Sequence, residues 1–431
     1  MSEGQLTSPP GTHDVLAPQS RAWEFLLATF ADQAHRHGYG LVVSPMFEDV
    51  AVFHRGIGEA SDVARKEMYT FTDRGDRTYA LRPEGTASVV RAYVQHHPTP
   101  PWKAWYATPA FRYERPQAGR YRQHHQVGVE ALGTDDPYMD VEVIALAWRF
   151  YQALGLRRVT LMVNSMGHDE CRGHFVQRLT AHLEIRVTEL CDEHAKVWST
   201  NSLRVLDCKT EACRSVVQSG PTLAQSLCDA CAHHFDVVTS GLDALEIPWV
   251  RNLNLVRGFD YYTRTTFEFA ADALESAQNA IGGGGRYDKL AEDLGGEPTS
   301  GVGFGSGIER LLLALAAEDA ERVAEIESRG VDVFVVDATG GREALVLADE
   351  LRSAGVSVDR AFDGRSMKSQ LKVADRSGAA WAVIIGSQEL EAQVVTLRDL
   401  RATGEGDRQS AVPRADVVTR IVELLRKSEA L

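Results

Sequence analysis

The spacing of apolar residues changes several times along the chain, and each change marks an element. Over residues 19–37, Trp23, Leu26, Leu27, Phe30 and Ala34 recur at helical spacing, which predicts an amphipathic helix. Gly38 fits its C-terminal cap. Gly40–Pro45 reads as a short strand, with the proline at its end or on an edge. Strand-like runs follow at 67–72, 77–82, 103–113 and 124–132, and a helix at 138–154. Strands this dense, punctuated by loops, predict an antiparallel sheet with a helix packed on it.

The run before residue 132 also carries chemistry. In FRYERPQAGRYRQHHQVGVE, residues 111–130, His124, Gln126, Gly128 and Glu130 share one parity and Val127 and Val129 the other. One strand face is therefore polar and the other apolar. Pro116 and Gly119 lie before this run, as in a long hairpin loop. Across such a hairpin, Arg112 shares the polar face with Gln126 and Glu130. That face offers cations for phosphate or carboxylate, a carboxylate for an N–H donor, and a glycine that leaves room for a ligand. A solvated hairpin would also carry charges, so the neighbouring motifs decide between the two.

Residues 165–245 differ: they are mostly helical in pattern and hold all six cysteines. They read as an insertion in a sheet domain spanning residues 1–325, because strand patterns resume at 251–269 and 278–286 and a helix starts near Ile308. The acidic stretch 317–330 is a linker candidate. From 331 to 431, strands such as VDVFVVD and WAVIIG alternate with helical segments, which predicts a separate small α/β domain. The fold class is α/β: a mainly antiparallel α+β sheet domain, a helical insertion and a C-terminal α/β domain.

Composition adds exclusions. The chain has 431 residues, 44% hydrophobic and 25% charged, as in soluble globular proteins of two or three domains. Its start lacks the basic and apolar regions of a secretory signal. No apolar run approaches the ~18 residues of a membrane span, so a cytoplasmic location is expected. A net charge of −14 argues against a general nucleic-acid coat but leaves room for a specific RNA partner on a local basic surface.

Four further segments accompany the hairpin. LRPEGT (81–86) puts Glu84 and Thr86 at one parity, although it also reads as a plain turn after a strand. RGFDYYTR places Arg257, Asp260, Tyr261, Tyr262 and Arg264 within a few residues, giving a cation beside a glycine and two aromatic walls with hydroxyl handles. GGGGRYD (282–288) lets backbone pass close to a bulky ligand. GVGFGSGIERLLLAL (301–315) alternates glycine at 301, 303, 305 and 307 before a helix, leaving one strand face bare, as a planar base pressed on the sheet requires. Arg310 falls in the first turn of that helix, toward the bare face. Neither a Walker loop nor a Rossmann fingerprint is present.

Taken in this order and spacing, these segments resemble the class II aminoacyl-tRNA synthetases and, within them, the histidyl-tRNA synthetase family. GYGLVVSPMFED resembles the dimer-forming motif 1, residues 111–130 motif 2, and GVGFGSGIERLLL motif 3. LVRGFDYYTRT and GGGGRYD are similar to the two signature segments of the histidine enzymes, and SMKSQLKVADRSGA to their anticodon-binding domain. The resemblance implies a homodimer that activates histidine with ATP and Mg²⁺ to histidyl-adenylate, then transfers the histidyl group to tRNA(His). It implies that Arg112 and Arg257 hold the α-phosphate, Arg112 also reaching the histidine carboxylate. Arg120 meets the outer phosphates, and Arg310 lies along adenine on the γ-phosphate side. Glu130 accepts the imidazole N–H, Tyr262 meets the other ring nitrogen beside Tyr261, and Glu84, Thr86 and Gln126 hold the α-amino end. His124 stands where the family usually has phenylalanine stacked on adenine. An imidazole stacks more weakly and with a pH-dependent charge, so weaker ATP binding below neutral pH is expected. Arg115 and Gln117 are candidates for the tRNA acceptor end. Arg365, Lys368, Lys372 and Arg376, spaced 3, 4 and 4 apart, are expected on one helix face against the tRNA backbone.

A non-catalytic regulatory paralogue of ATP phosphoribosyltransferase shares the same core. It typically lacks the C-terminal domain and erodes these arginines, which this chain keeps. Cys208-x4-Cys213 and Cys228-x2-Cys231 can hold zinc as four thiolates or be buried structural cysteines. The family does not generally require a metal there, and none is expected.

Overall fold

A computed structural model describes residues 6–58, 61, 63–208, 210–255, 261–274, 279–402 and 409–429. The chain divides into two compact units, residues 1–323 and 324–431. In the first, eight strands form one sheet in the order 40–41, 102–111, 123–132, 301–307, 280–286, 263–271, 159–165 and 250–251. The six inner strands are antiparallel, and a two-residue strand pairs in parallel at each edge.

One face of this sheet carries the core. Ala22, Leu26, Phe30 and Ala34 are the buried stripe of the helix Gln19–Arg36, and Gly38 follows it at φ +78°. The helix Pro137–Leu154 starts where the Asp136 side chain accepts the Tyr138 N–H at 2.9 Å, with proline in its first turn, and ends at Gly155 in the left-handed region. Both helices pack with Val127, Val129 and Phe304 of the sheet, and the Phe30 ring meets Phe150 at 4.9 Å. Each buried side chain of this size contributes about 1.5–3 kcal/mol.

Several boundaries differ from the sequence expectation. The strand expected at Gly40–Pro45 shrinks to Gly40–Leu41, and that expected at 103–113 ends at Phe111. The acidic stretch 317–330 contains the division between the two units, after residue 323, but it is not an extended linker: Ala320–Ser328 is a helix. The Asp319 side chain accepts the Arg322 N–H at 2.9 Å, and Ile326 is buried, so a cap and an apolar anchor outweigh the charge. In the cysteine-bearing region, Phe235, Val238 and Leu242 of the helix Asp229–Ala244 join the main core. The separate small core draws only on residues from Met166 to Leu227, a narrower segment than 165–245.

The second unit holds five strands in the order 358–360, 333–337, 381–385, 394–399 and 409–413. The first two pairings are parallel and the rest antiparallel. Its helix Met367–Arg376 begins after Ser366, whose side chain caps it. Arg365 precedes that cap and pairs with Asp363 at 3.4 Å, so the four predicted cations do not share one helix face. Lys368, Lys372 and Arg376 do share it and are exposed.

Beneath the main sheet Arg286 and Asp140, both 0% exposed, form an ion pair. Arg286 also donates to the carbonyls of Thr134 and Asp136 at 3.1 Å each, and His234 lies 3.4 Å from Asp140. Burial alone would raise the Asp140 carboxyl, but its bonds and the arginine charge hold it below the usual carboxylate value. Its contribution to stability is therefore present above pH 3.8, the unfolded value, and lost as pH falls through the lower folded value. Arg286→Met leaves a buried carboxylate unpaired and is expected to cost about 3–5 kcal/mol at neutral pH in urea unfolding, a gap that narrows in acid. A neutral-pH loss under about 1 kcal/mol would contradict this account.

Candidate functional site

The polar face of the sheet opens into a cleft of about 430 Å³ lined by Glu84, Thr86, Tyr106, Arg112, Arg120, His124, Gln126, Tyr261, Tyr262 and Arg310, with Gly282, Gly283, Gly305 and Gly307 as floor. Nine of the sequence-predicted site residues therefore converge. His124 and Gln126 reach the cleft from the strand Gln123–Leu132 at the expected parity. Arg310 arrives from the first turn of the helix Ile308–Glu318. Its guanidinium donates to the Gly119 and Ala280 carbonyls at 3.3 and 2.8 Å. Arg120 Nε lies 2.8 Å from Glu114, and Arg112 Nε donates to the Pro83 carbonyl at 2.9 Å. Burial, then the neighbouring Arg120, pulls the Arg310 pKa below the ordinary arginine value. Three guanidiniums around one cleft are a standing demand for anionic charge.

Glu84 lines the cleft and also caps a helix. Its carboxylate accepts the N–H groups of Thr86 and Ala87 at 2.6 and 2.7 Å, closing the start of the helix Thr86–His96. Burial still pushes its carboxyl above the ordinary glutamate value.

Glu130 does not line the cleft. It is 0% exposed and lies under it. Thr86 donates to it at 2.7 Å, Tyr106 at 3.4 Å, and Tyr287 bonds its other oxygen. Burial pushes its pKa up to about 8, and the hydroxyl bonds from Thr86 and Tyr287 pull it back only in part. Tyr261 and Tyr262 stand beside this group, their rings 4.6 Å apart, with Tyr261 5.8 Å from Tyr287.

The alternating glycines serve a different purpose from the one expected. A Cβ on Gly303 would collide with the Glu130 carboxylate, and one on Gly301 with the Tyr287 ring. Gly128 and Gly85 make way for Tyr106 in the same manner. Only Gly305 and Gly307 of the series line the cleft. Half of the bare face is thus filled from within by the protein's own polar side chains.

Sequence reasoning missed Tyr106, Tyr287, Glu309 and Arg82. Glu309 receives the His125 N–H at 3.0 Å and its ring nitrogen at 3.0 Å, tying motif 3 to motif 2. Arg82, buried, donates to the Pro109 and Ser44 carbonyls at 2.7 and 3.1 Å. The pairing of one parity with another across strands would have found Tyr106, opposite Gly128. Arg115 and Gln117 are exposed in the hairpin loop, where Gln117 bridges to Arg120. Arg257 lies outside the described residues.

The cysteines correct one expectation outright. Cys208 and Cys213 do not meet Cys228 and Cys231, because the two pairs fall in separate clusters.

An antiparallel sheet whose hairpin arginines and motif 3 arginine surround one cleft defines a class II aminoacyl-tRNA synthetase. The histidyl-tRNA synthetase family profile matches residues 11–311, and an anticodon-binding domain profile matches residues 331–424. A histidine–tRNA ligase of Rhodococcus erythropolis is 46% identical over 97% of this chain and 98% of its own length. One of Desulforamulus reducens is 43% identical over 92% and 95%. The structure of apo Staphylococcus aureus histidyl-tRNA synthetase matches with a TM-score of 0.78 at 34% identity, covering 97% of this chain and all of that one. The chain belongs to the histidyl-tRNA synthetase family. It is an ATP-dependent ligase of histidine and tRNA(His), acting through histidyl-adenylate. Full-length relatives and the anticodon-binding match favour this over the non-catalytic paralogue. Among the described residues no helix is long and apolar enough to cross a membrane.

His124 departs from expectation in its electrostatics. Burial, then the charges of Arg112, His125, Arg310 and Arg120, push its pKa down to about 3, so the ring stays neutral across the physiological range and the expected acid-side weakening of ATP binding loses its cause. In pyrophosphate exchange, kcat/KM for ATP in His124→Phe should follow the wild-type pH profile between about pH 5.5 and 8. An ionisation near 6.5 seen only in the wild type would contradict this.

Proposed function

We propose that the cleft binds ATP and histidine together, with the residue roles that the family resemblance implies. The attack of a carboxylate on the α-phosphate brings two anions together, so cations must offset their repulsion and fix their geometry. Arg112 meets both groups, and Arg257, by its match to the family's signature segment, also meets the α-phosphate. Arg120 and Arg310 take the outer phosphates, with Arg310 along adenine, and the His124 ring forms the other face of that slot. Mg²⁺ accompanies the polyphosphate.

Histidine lies deeper. Its neutral imidazole offers one donor and one acceptor. The donor goes to Glu130, displacing Tyr106, whose bond at 3.4 Å is the longest of the three on that carboxylate. The acceptor meets Tyr262, with Tyr261 as wall. Glu84, Thr86 and Gln126 take the α-amino end. The observation that carries this reading is the convergence of Arg112, Arg120, Arg310, Glu84, Tyr261 and Tyr262 on one cleft, with Glu130 buried directly beneath it.

For tRNA, Arg115 and Gln117 in the hairpin loop meet the acceptor end. Lys368, Lys372 and Arg376 meet the backbone near the anticodon, with Arg365 beside them in the preceding turn. Leu41, Val43, Met46 and Phe47 are 55%, 85%, 54% and 49% exposed in the motif 1 segment. Such an apolar patch supports a homodimer that buries it. The reading places the enzyme in the cytoplasm with its substrates.

Arg257→Ala should lower histidine-dependent ATP–pyrophosphate exchange by about 10²–10³-fold, while its helicity and its two-chain sedimenting mass match the wild type. Undiminished exchange would remove Arg257 from the site, and a single-chain mass for the wild type would remove the dimer.

A further inference from the structure

All six cysteines and two histidines of the segment after the strand Val159–Ser165 gather into two groups of four. His168, Cys171, Cys228 and Cys231 form one; Cys191, His194, Cys208 and Cys213 form the other. Within each group the four donor atoms lie within 4.8 Å of one another, and no cysteine is left over. All six are free thiols.

The distances match a tetrahedral ion. Zinc with Zn–S of about 2.3 Å and Zn–N of about 2.0–2.1 Å requires S···N separations of roughly 3.5 Å and S···S separations of roughly 3.8 Å. In the first group His168 Nδ1 lies 3.1, 3.9 and 3.4 Å from the sulfurs of Cys171, Cys228 and Cys231. In the second, Cys191 Sγ lies 3.0 Å from His194 Nδ1 and 3.9 Å from Cys208 Sγ. Three of the four pairs along the chain have two residues between donors and the fourth has four, the usual spacing of zinc knuckles.

The surroundings point the same way. The Cys228 N–H donates to Cys171 Sγ at 3.2 Å and the Cys191 N–H to Cys213 Sγ at 3.3 Å, bonds that favour the thiolate. The second ring nitrogen of His168 faces the Glu170 carboxylate at 3.5 Å, the partner that orients a metal-bound imidazole. Cys228 is exposed and still aims at the other three donors, which apolar packing does not require.

The fold also needs staples there. Between the helices Asp169–Glu184 and Glu211–Gln218 only three short 3₁₀ turns occur among the described residues. The local core is a small set of side chains around Phe175, Leu179, Val205 and Val216. Segments with so little to bury usually depend on cross-links or metals. The second group closes the chain from 191 to 213, across that irregular stretch. The first closes it from 168 to 231, where the segment leaves the main sheet and where the helix Asp229–Ala244 begins.

We propose that residues 168–231 form a two-zinc structural module, each ion held by three cysteine thiolates and one histidine Nδ1, with no open position for substrate. Each set releases its thiol protons on loading, and no redox partner is required.

The full-length protein, purified without chelators from zinc-supplemented cells, should contain about two zinc ions per chain by elemental analysis. Cys231→Ser and Cys213→Ser should each contain one. Should either variant fail to fold, the wild type decides alone: a thiol-blocking mercurial should release two zinc equivalents to a chromogenic indicator, and cobalt substitution should give tetrahedral thiolate ligand-field bands. A wild-type content near zero or one, or variants that both keep two, would overturn the proposal.

Discussion

A carboxylate with no exposure, Glu130, holds the catalytic sheet's polar layer in place. Burying an ionisable group this deeply is unfavourable unless its oxygens are bonded. Here Thr86, Tyr106 and Tyr287 come from three different segments to meet it. The strand Gly301–Gly307 must then carry no side chain at 301 or 303, because Tyr287 and Glu130 occupy that space. Gly128 and Gly85 leave room for Tyr106 under the same demand. A run of glycines is thus the negative image of a small polar cluster.

The cleft above has the opposite character. Burial, then Arg120, holds the Arg310 pKa down; burial, then the surrounding charges, does the same to His124, while Arg120 pairs with Glu114 at 2.8 Å. An anion entering there gains more than it would in water, because the site is already arranged and partly dehydrated. Below the cleft, Arg286 and Asp140 anchor the same strands from the far side. The sheet is therefore fixed by two buried polar groups, one on each face, with the substrates' charges reserved for the first.

Much of this was legible in the chain. The period-two alternation of residues 124–130 fixed which side chains share a face, and the helical spacing around Leu26 and Phe30 marked the packing helix correctly. Cluster membership was not legible. Cysteine spacing gives neighbours along the chain, but His168 and His194 enter only through folding, and the four cysteines first grouped together belong to two sets. Arg365 fell outside its helix because Ser366 supplies the cap, a local bond that a spacing argument ignores. The acidic stretch 317–330 does join the two units, but its helix was not legible because net charge says nothing about a single buried Ile326.

The account rests on Glu130 reading the imidazole, and a steady-state comparison of Glu130→Gln tests it most directly. Glutamine keeps the size but cannot ionise, so it cannot offer the imidazole N–H an anionic acceptor. Histidine kcat/KM in pyrophosphate exchange should fall about 100-fold or more while KM for ATP stays within about threefold. An unchanged histidine kcat/KM in a folded variant would contradict the claim.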